Sequence, residues 1–445
     1  MKKIIFALAA VLAAAALLFT SCGSQGGQGH SSQEGPVTLV LASFQDNPVL
    51  GRQVELFNRS HDDYQIEIQK YTRWDSAEED GRARMQREII SGKGPDLIDF
   101  GSDYATGDIV GCYTEDLYPY LESGLENPED YFRNIWDAFR YKDGLYAVPT
   151  CFTLSTFAGI NENLGGRSGW NIQEMMDCYE ERRDEMILYP GEQKIDVFGT
   201  ILNGSMEYYI DWENGLCSFD GKEFRQVLEF ANSFPDSLNL EEDFSVKQTF
   251  LDGRALLLPL KIADIYDICN AGFIFGGSEI SYIGFPVEGK SGTIINVPGP
   301  VLAISIGSGH KEVCWEFITQ FLGKEYQGEL DSGLPVCRSV LEEKLRAGME
   351  TEYSQDQEGK RSPIAKAYIR IEGEDPIEVY QITQAQADTL LHLIESAGLS
   401  TSNDRPLYNA VIEEARRYFA GERTLEETLR NIQGRASIYV NERIQ

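Results

Sequence analysis

The sequence predicts an α/β protein of two lobes, the first built on a parallel sheet covered by helices. Three observations predict it. Apolar, β-branched runs alternate with amphipathic helical segments through the first half of the folded chain, the pattern of a parallel sheet with crossover helices. The folded part of the 445 residues, roughly 410, is more than one hydrophobic core usually organises. The carboxyl end carries two successive helical patterns with a clear stop between them.

Val37 to Ala42 is a β-branched and apolar run and reads as a buried strand. Pro48 to Arg59 carries Val49, Val54, Leu56 and Phe57 at helical spacing. Gln65 to Tyr71 alternates Ile66 and Ile68 with polar neighbours, a strand signature. Asp75 to Ser91 is helical in pattern, with Gly92 as its stop, and Asp96 to Phe100 is a third strand. In such sheets ligands bind beyond the carboxyl ends of the strands. The loops to watch are therefore 43–46, 72–74 and 101–104. Further on, Cys151 to Ile160, Ala255 to Leu260 and Val301 to Ile306 read as buried strands, and Phe224 to Phe234 as an amphipathic helix. At the end Tyr408, Val411, Ile412, Ala415, Tyr418 and Phe419 recur at helical spacing and Gly421 supplies the stop. Thr424 with Glu427 then forms a capping box that opens a last helix through Leu425, Leu429, Ile432 and Tyr439.

The first two dozen residues are of another kind. Met1-Lys2-Lys3 is a basic start, and Ile4 to Phe19 is apolar but short of the roughly 20 residues a membrane span needs. It fits the apolar region of a signal peptide. Phe19-Thr20-Ser21-Cys22-Gly23 resembles a lipobox, in which the cysteine is acylated before cleavage. The Gly/Ser/Gln tract that follows, to about residue 35, has the composition of a flexible tether. Cleavage after Ser21 removes Lys2 and Lys3 and takes the formal charge from −32 to −34. So acidic a chain is excluded as a nucleic-acid binder, which needs clustered Lys and Arg. Beyond Cys22, seven cysteines (Cys112, Cys151, Cys178, Cys217, Cys269, Cys314, Cys337) are odd in number, scattered, and nowhere at C-x-x-C spacing. They read as buried small hydrophobes, and no zinc or other metal site and no cofactor is expected.

Several stretches resemble the family 1 extracellular solute-binding proteins, the maltose-binding-like receptors of ABC sugar importers. They are Leu56-Phe57-Asn58-Arg59-Ser60, Glu88 to Ile98, Gly144 to Pro149 followed by Gly159-Ile160-Asn161, Phe250 to Ala255, and Tyr418 to Glu427, in the family's order. The resemblance implies a two-lobed periplasmic-binding-protein type II fold with the ligand cleft between the lobes. It places residues 36–148 and 296–345 in lobe one, and 149–295 and 346–445 in lobe two. It also implies a carbohydrate ligand, permease subunits with a cytoplasmic ATPase as partners, a monomer, and no reaction catalysed. With Cys22 it implies a lipid-anchored protein on the outer face of the cell membrane, or the periplasmic face where there is an outer membrane.

A sugar cleft needs flat apolar surfaces for ring faces and fixed polar groups for hydroxyls. Phe44 and Asp46 follow the first strand, Trp74 the second, Asp103 and Tyr104 the third. The resemblance adds Thr153, Asn203, Met206, Lys261, Asp264 and Tyr408, with Lys261 standing where many relatives have tryptophan. The net charge argues for a neutral oligosaccharide, because an anionic one is repelled unless a local Arg cluster offsets the field.

Gly284 to Ser291 matches the P-loop pattern G-x-x-x-x-G-K-S, with Lys290 as its lysine. The residues after it, Gly292 to Pro300, cannot open the helix that phosphate binding requires, so the match is read as chance. Two other functions compete with sugar capture: a lipid-anchored glycoside hydrolase working through paired carboxylates, and a binder of peptides or another non-sugar solute. From the amino terminus we expect that metabolic palmitate labelling marks the protein and that Cys22→Ala abolishes the label. Labelling that survives the substitution would exclude Cys22 as the anchor.

Overall fold

The structure is a computed structural model, and it describes residues 35–71, 81–101, 113–237, 245–289, 291–370, 375–400 and 404–444. Its strands fall into two main sheets. The first has the order Tyr64–Lys70, Val37–Ser43, Leu97–Asp99, Val301–Ile304, Val148–Pro149. Val37–Ser43 and Leu97–Asp99 run parallel with Ser43 opposite Asp99, as the alternating pattern predicts. Val301–Ile304 enters antiparallel to Leu97–Asp99, which makes the sheet mixed. The helix Pro48–Ser60 covers it. Its Asn47 cap accepts from the N–H groups of Val49 and Leu50, and it buries Leu50, Val54 and Phe57 at i, i+4 and i+7.

The second sheet is built around the long strand Cys151–Ile160. Leu258–Ile262 pairs with it antiparallel, Ser155 opposite Lys261 and Thr156 opposite Leu260. Ile294–Asn296, Ile280–Tyr282 and Leu334–Pro335 also pair with it, and Leu399–Ser400 continues the sheet from Ile294–Asn296. Strand alternation shows along Leu258–Ile262. Leu154, Thr156 and Ala158 lie with Leu258, Leu260 and Ile262 on a buried face, while Pro259 and Lys261 are exposed on the other. The strand expected from Ala255 thus begins at Leu258. Before it, Ala255 to Leu257 are drawn off to the segment 187–188, whose carbonyls accept from Leu256 and Leu257. The helix expected from Asp75 is described as Gly81–Ile90, its earlier residues lying outside the described ones. The two closing helices are Arg405–Phe419 and Leu425–Ile444, with the capping box at Thr424 and Glu427 in place. No P-loop forms at Gly284: Phe285 N–H bonds to the Gly292 carbonyl at 2.8 Å, and the chain proceeds into a strand rather than a helix. Lys290 lies outside the described residues.

The chain passes between the sheets three times, at 149–151, at 296–301 and at 329–334, so it enters the second sheet again ahead of residue 345. Two buried polar side chains join these crossings. The Thr150 hydroxyl donates to the Pro300 carbonyl at 2.9 Å. The Gln327 amide, fully buried, donates to the carbonyls of Thr150 and Phe321 at 2.8 and 2.6 Å and accepts from Val336 N–H at 2.8 Å. A third group, the Asp99 carboxylate, is 1% exposed at the carboxyl end of its strand. It accepts from the N–H groups of Gly101 at 2.9 Å and Val301 at 3.1 Å and from the Asn47 amide.

The described cysteines, Cys151, Cys178, Cys217, Cys269, Cys314 and Cys337, are all free thiols; Cys217 is half-buried and the others are buried. Cys112 lies outside the described residues. No described helix is long and apolar enough to cross a membrane.

Two stability effects follow. Gln327→Leu keeps the volume but strands two carbonyls and one N–H in the interior, at about 1–3 kcal/mol for each group left unpaired. We expect a loss of about 3 kcal/mol or more by urea unfolding, against about 1 kcal/mol for Thr150→Val, which removes the bond to Pro300. Asp99 titrates differently from an ordinary carboxyl, because burial raises its pKa from 3.8 to about 6. A raised carboxyl pKa contributes stability that is fully present below the unfolded value and is lost as pH rises through the folded one. Unfolding measured between pH 4 and 6.5 should therefore show wild type gaining roughly 1–3 kcal/mol relative to Asp99→Asn as pH falls. Parallel curves would show that Asp99 does not carry this titration.

Candidate functional site

The carboxyl ends of the first sheet's strands face the three crossings, and a pocket of about 330 Å³ lies there. One wall is the loop after the first strand, Gln45 to Val49, with Gly101 from the loop after the third. The opposite wall comes from the crossings themselves: Cys151, Pro298 to Pro300, and Glu329 to Ser332 with Tyr326. The Asp99 carboxylate beneath this rim bonds at once to Asn47, Gly101 and Val301, so a single buried group sets the spacing of both walls. Gly101 has φ 64°, and a Cβ there would lie 2.6 Å from the Gln45 amide nitrogen. Glycine leaves that amide room against the rim. Burial pushes the Cys151 thiol up to about 12, so at neutral pH it lines the pocket as a small neutral group. The exposed ion pair of Arg52 with Glu329, 3.3 Å apart, spans one edge and adds little stability.

From Cys151 the second sheet continues away from the pocket. Thr153 is 1% exposed opposite Asn296, and its hydroxyl has no partner among the described residues. Ser155 accepts from the Asn296 amide at 3.0 Å and sits opposite the exposed Lys261. Further along, Phe157 meets Phe285, ring centroids 4.5 Å apart. Phe285 is also the floor of a second groove, of about 640 Å³, between the helices Lys194–Ser205 and Arg405–Phe419. The ring of Phe285 fits beneath Gly204, a position where any Cβ would collide with it. The Tyr408 hydroxyl passes 3.1 Å from where a Cβ of Gly199 would stand, so these glycines let the two helices and the floor approach closely.

The residues expected as ligand contacts divide among these features. Asp46 lines the crossing pocket, exposed and paired with Lys70. Thr153 and Lys261 lie on the second sheet, Thr153 buried and Lys261 exposed. Asn203 and Tyr408, distant in sequence, line the same groove. Tyr408 is half-buried, and burial raises its hydroxyl pKa while the nearby Arg405 and Arg416 pull it back. Three residues are occupied otherwise. Phe44 is buried under the Arg82 guanidinium, 5.2 Å from its ring centre, because the loop turns this side chain inward. Met206 is buried where the helix Lys194–Ser205 runs into a 3-10 turn. The Asp264 carboxylate caps the turn Ile265–Ile268, accepting from Tyr266 N–H at 2.9 Å. Trp74, Asp103, Tyr104 and Cys22 lie outside the described residues.

Other lining residues escaped the sequence reading. In the groove they are Asp196, Thr200, Arg405, Asn409 and Arg416. A signal for three of them was present: positions 405, 408, 409, 412 and 416 share one helix face, so the side chains beside Tyr408 were legible from spacing alone. Glu329 to Ser332 gave no such signal, since a crossing of irregular backbone has no period.

No protein-family model and no curated protein sequence matches the chain. Solved structures do. The sugar-binding protein MalE of Xanthomonas citri is 14% identical, with 92% of this chain and 98% of that chain aligned and a TM-score of 0.54. A periplasmic oligogalacturonide-binding protein from Yersinia enterocolitica is also 14% identical, over 92% of this chain and all of that one, with a TM-score of 0.54. The ABC substrate-binding protein Lmo0181 of Listeria monocytogenes, solved with cycloalternan, is 12% identical over 91% and 99% of the two chains, with a TM-score of 0.51. Likeness along nearly the whole of both chains, with two sheets joined by three crossings, identifies the fold as the two-lobed α/β fold of these binding proteins.

Proposed function

We propose that this chain is a lipid-anchored extracellular receptor that captures a carbohydrate and delivers it, unaltered, to the permease of an ABC importer. The observation that carries the reading is the pocket at the three crossings, on a fold shared end to end with sugar-binding proteins. Such a pocket is bounded by both sheets, so a solute held there bridges them and favours their closure. The groove at Tyr408 supports a sugar in particular. It sets a half-buried aromatic beside Thr200, Asn203 and Asn409, the pairing of ring surface and hydroxyl partners that a saccharide requires. Trp74, Asp103 and Tyr104 belong to the same proposal as contacts from the loops after the second and third strands. Attachment through Cys22, with a Gly/Ser/Gln tether, would hold the receptor near its permease.

Titration of the mature chain with a panel of linear oligosaccharides should give saturable binding, a melting temperature that rises with ligand, and sugar recovered intact. Tyr408→Ala should weaken binding about tenfold, since the lost ring contact and apolar area come to about 1.4 kcal/mol, and leave the ligand-free melting temperature nearly unchanged. Protein-dependent appearance of shortened sugar would replace this reading with a hydrolase. A sharp fall in ligand-free stability with unaltered affinity would make Tyr408 a packing residue.

A further inference from the structure

The groove between the helices Lys194–Ser205 and Arg405–Phe419 has a charge opposite to that of the chain. Arg405 and Arg416 both line it, both are exposed, and neither forms an ion pair or side-chain hydrogen bond among the described residues. Three nearby arginines are engaged. Arg417 pairs with Glu413 at 2.6 Å, Arg435 with Glu413 and Glu414 at 3.1 Å, and Arg423 with the buried Glu414. The acidic side chains of the penultimate helix are thus neutralised away from the groove, and two guanidinium groups are left open on the groove side. Among the described lining residues Asp196 is the only carboxylate, and it accepts from the Gln193 amide at 2.8 Å. The local balance is positive in a molecule whose formal charge is −32.

The spacing narrows the ligand further. At 1.5 Å per residue, positions 405 and 416 stand about 16 Å apart along the helix axis. Tyr408, Asn409 and Ile412 fill the face between them. A guanidinium offers a planar fork of donors that matches a carboxylate, and does so with less hydration to lose than an ammonium. Two such forks at the ends of a groove with an aromatic between them call for an elongated solute with separated carboxylates and a ring face. We propose that the groove takes an acidic oligosaccharide, a short chain of uronic acids, with Arg405 and Arg416 each holding a ring carboxylate and Tyr408 a ring face between them. The proposal rests on the carbohydrate-receptor reading. It reverses the expectation of a neutral ligand through the exception that expectation contained, a local arginine cluster.

The test is calorimetric titration of the full mature chain with 1,4-linked galacturonate and mannuronate trimers, their methyl esters, and neutral maltotriose and galactotriose, at low and high salt. One of the acidic trimers should bind, more weakly at high salt. Arg405→Gln and Arg416→Gln should each weaken that binding roughly tenfold to a hundredfold, the range of a lost hydrogen bond to a charged group. Asp196→Asn should tighten it, and the ligand-free melting temperatures should stay unchanged, because these side chains have no ion-pair partners among the described residues. Neutral or esterified trimers binding as well as the acids, with the arginine variants unaffected, would overturn the acidic assignment and leave the carbohydrate receptor standing. Binding of none of these sugars would overturn both.

Discussion

The arrangement depends on one buried amide. Gln327 reaches the first crossing at the Thr150 carbonyl and, just past the third, Val336 N–H, and Thr150 in turn holds the second at Pro300. Irregular backbone cannot be buried unless its polar groups are satisfied, and where two sheets meet there is no ladder to satisfy them. A glutamine supplies both a donor and an acceptor from a single rigid group, and here it is used on both sides. The crossings can therefore lie side by side, and the pocket along them has walls whose positions are set by bonds within the protein.

Asp99 extends this logic from the crossings to the rim. Its carboxylate gathers the first loop, the third loop and the second crossing around one point. A carboxylate does this better than a neutral acceptor because it can take several N–H donors at once. Burial of the charge opposes its ionisation, and the three donors favour it. Burial is the stronger of the two, so the rim is organised by a carboxyl whose pKa stands at about 6, above its ordinary 3.8.

Much of the architecture was legible in the sequence. The first strands and the two closing helices stand close to where their patterns put them, the first strand as an apolar run buried at its carboxyl end and the helices as stripes that bury one face. The strand near Ala255 was displaced because apolar residues on both sides of its start hid where one partner gave way to another. The candidate site was legible only in part. Asp46, Asn203 and Tyr408 line cavities, but Phe44 and Met206 turn inward and Asp264 serves a local turn, distinctions that rotamer and packing decide rather than residue type. The arginines were overlooked because net charge is a property of the whole chain. A pocket responds most to the groups that line it, and here two arginines outnumber the one carboxylate, Asp196.

The free thiols bear on where such a chain can work. Among the described residues no covalent link joins distant segments, and burial raises the pKa of Cys151 and Cys314 to about 12 and of Cys217 and Cys269 to about 11. A thiol with so little thiolate is slow to attack a disulfide or an electrophile. Non-covalent contacts carry the described fold. None of the described contacts depends on a disulfide, so a reductant added to the folded protein should leave them in place.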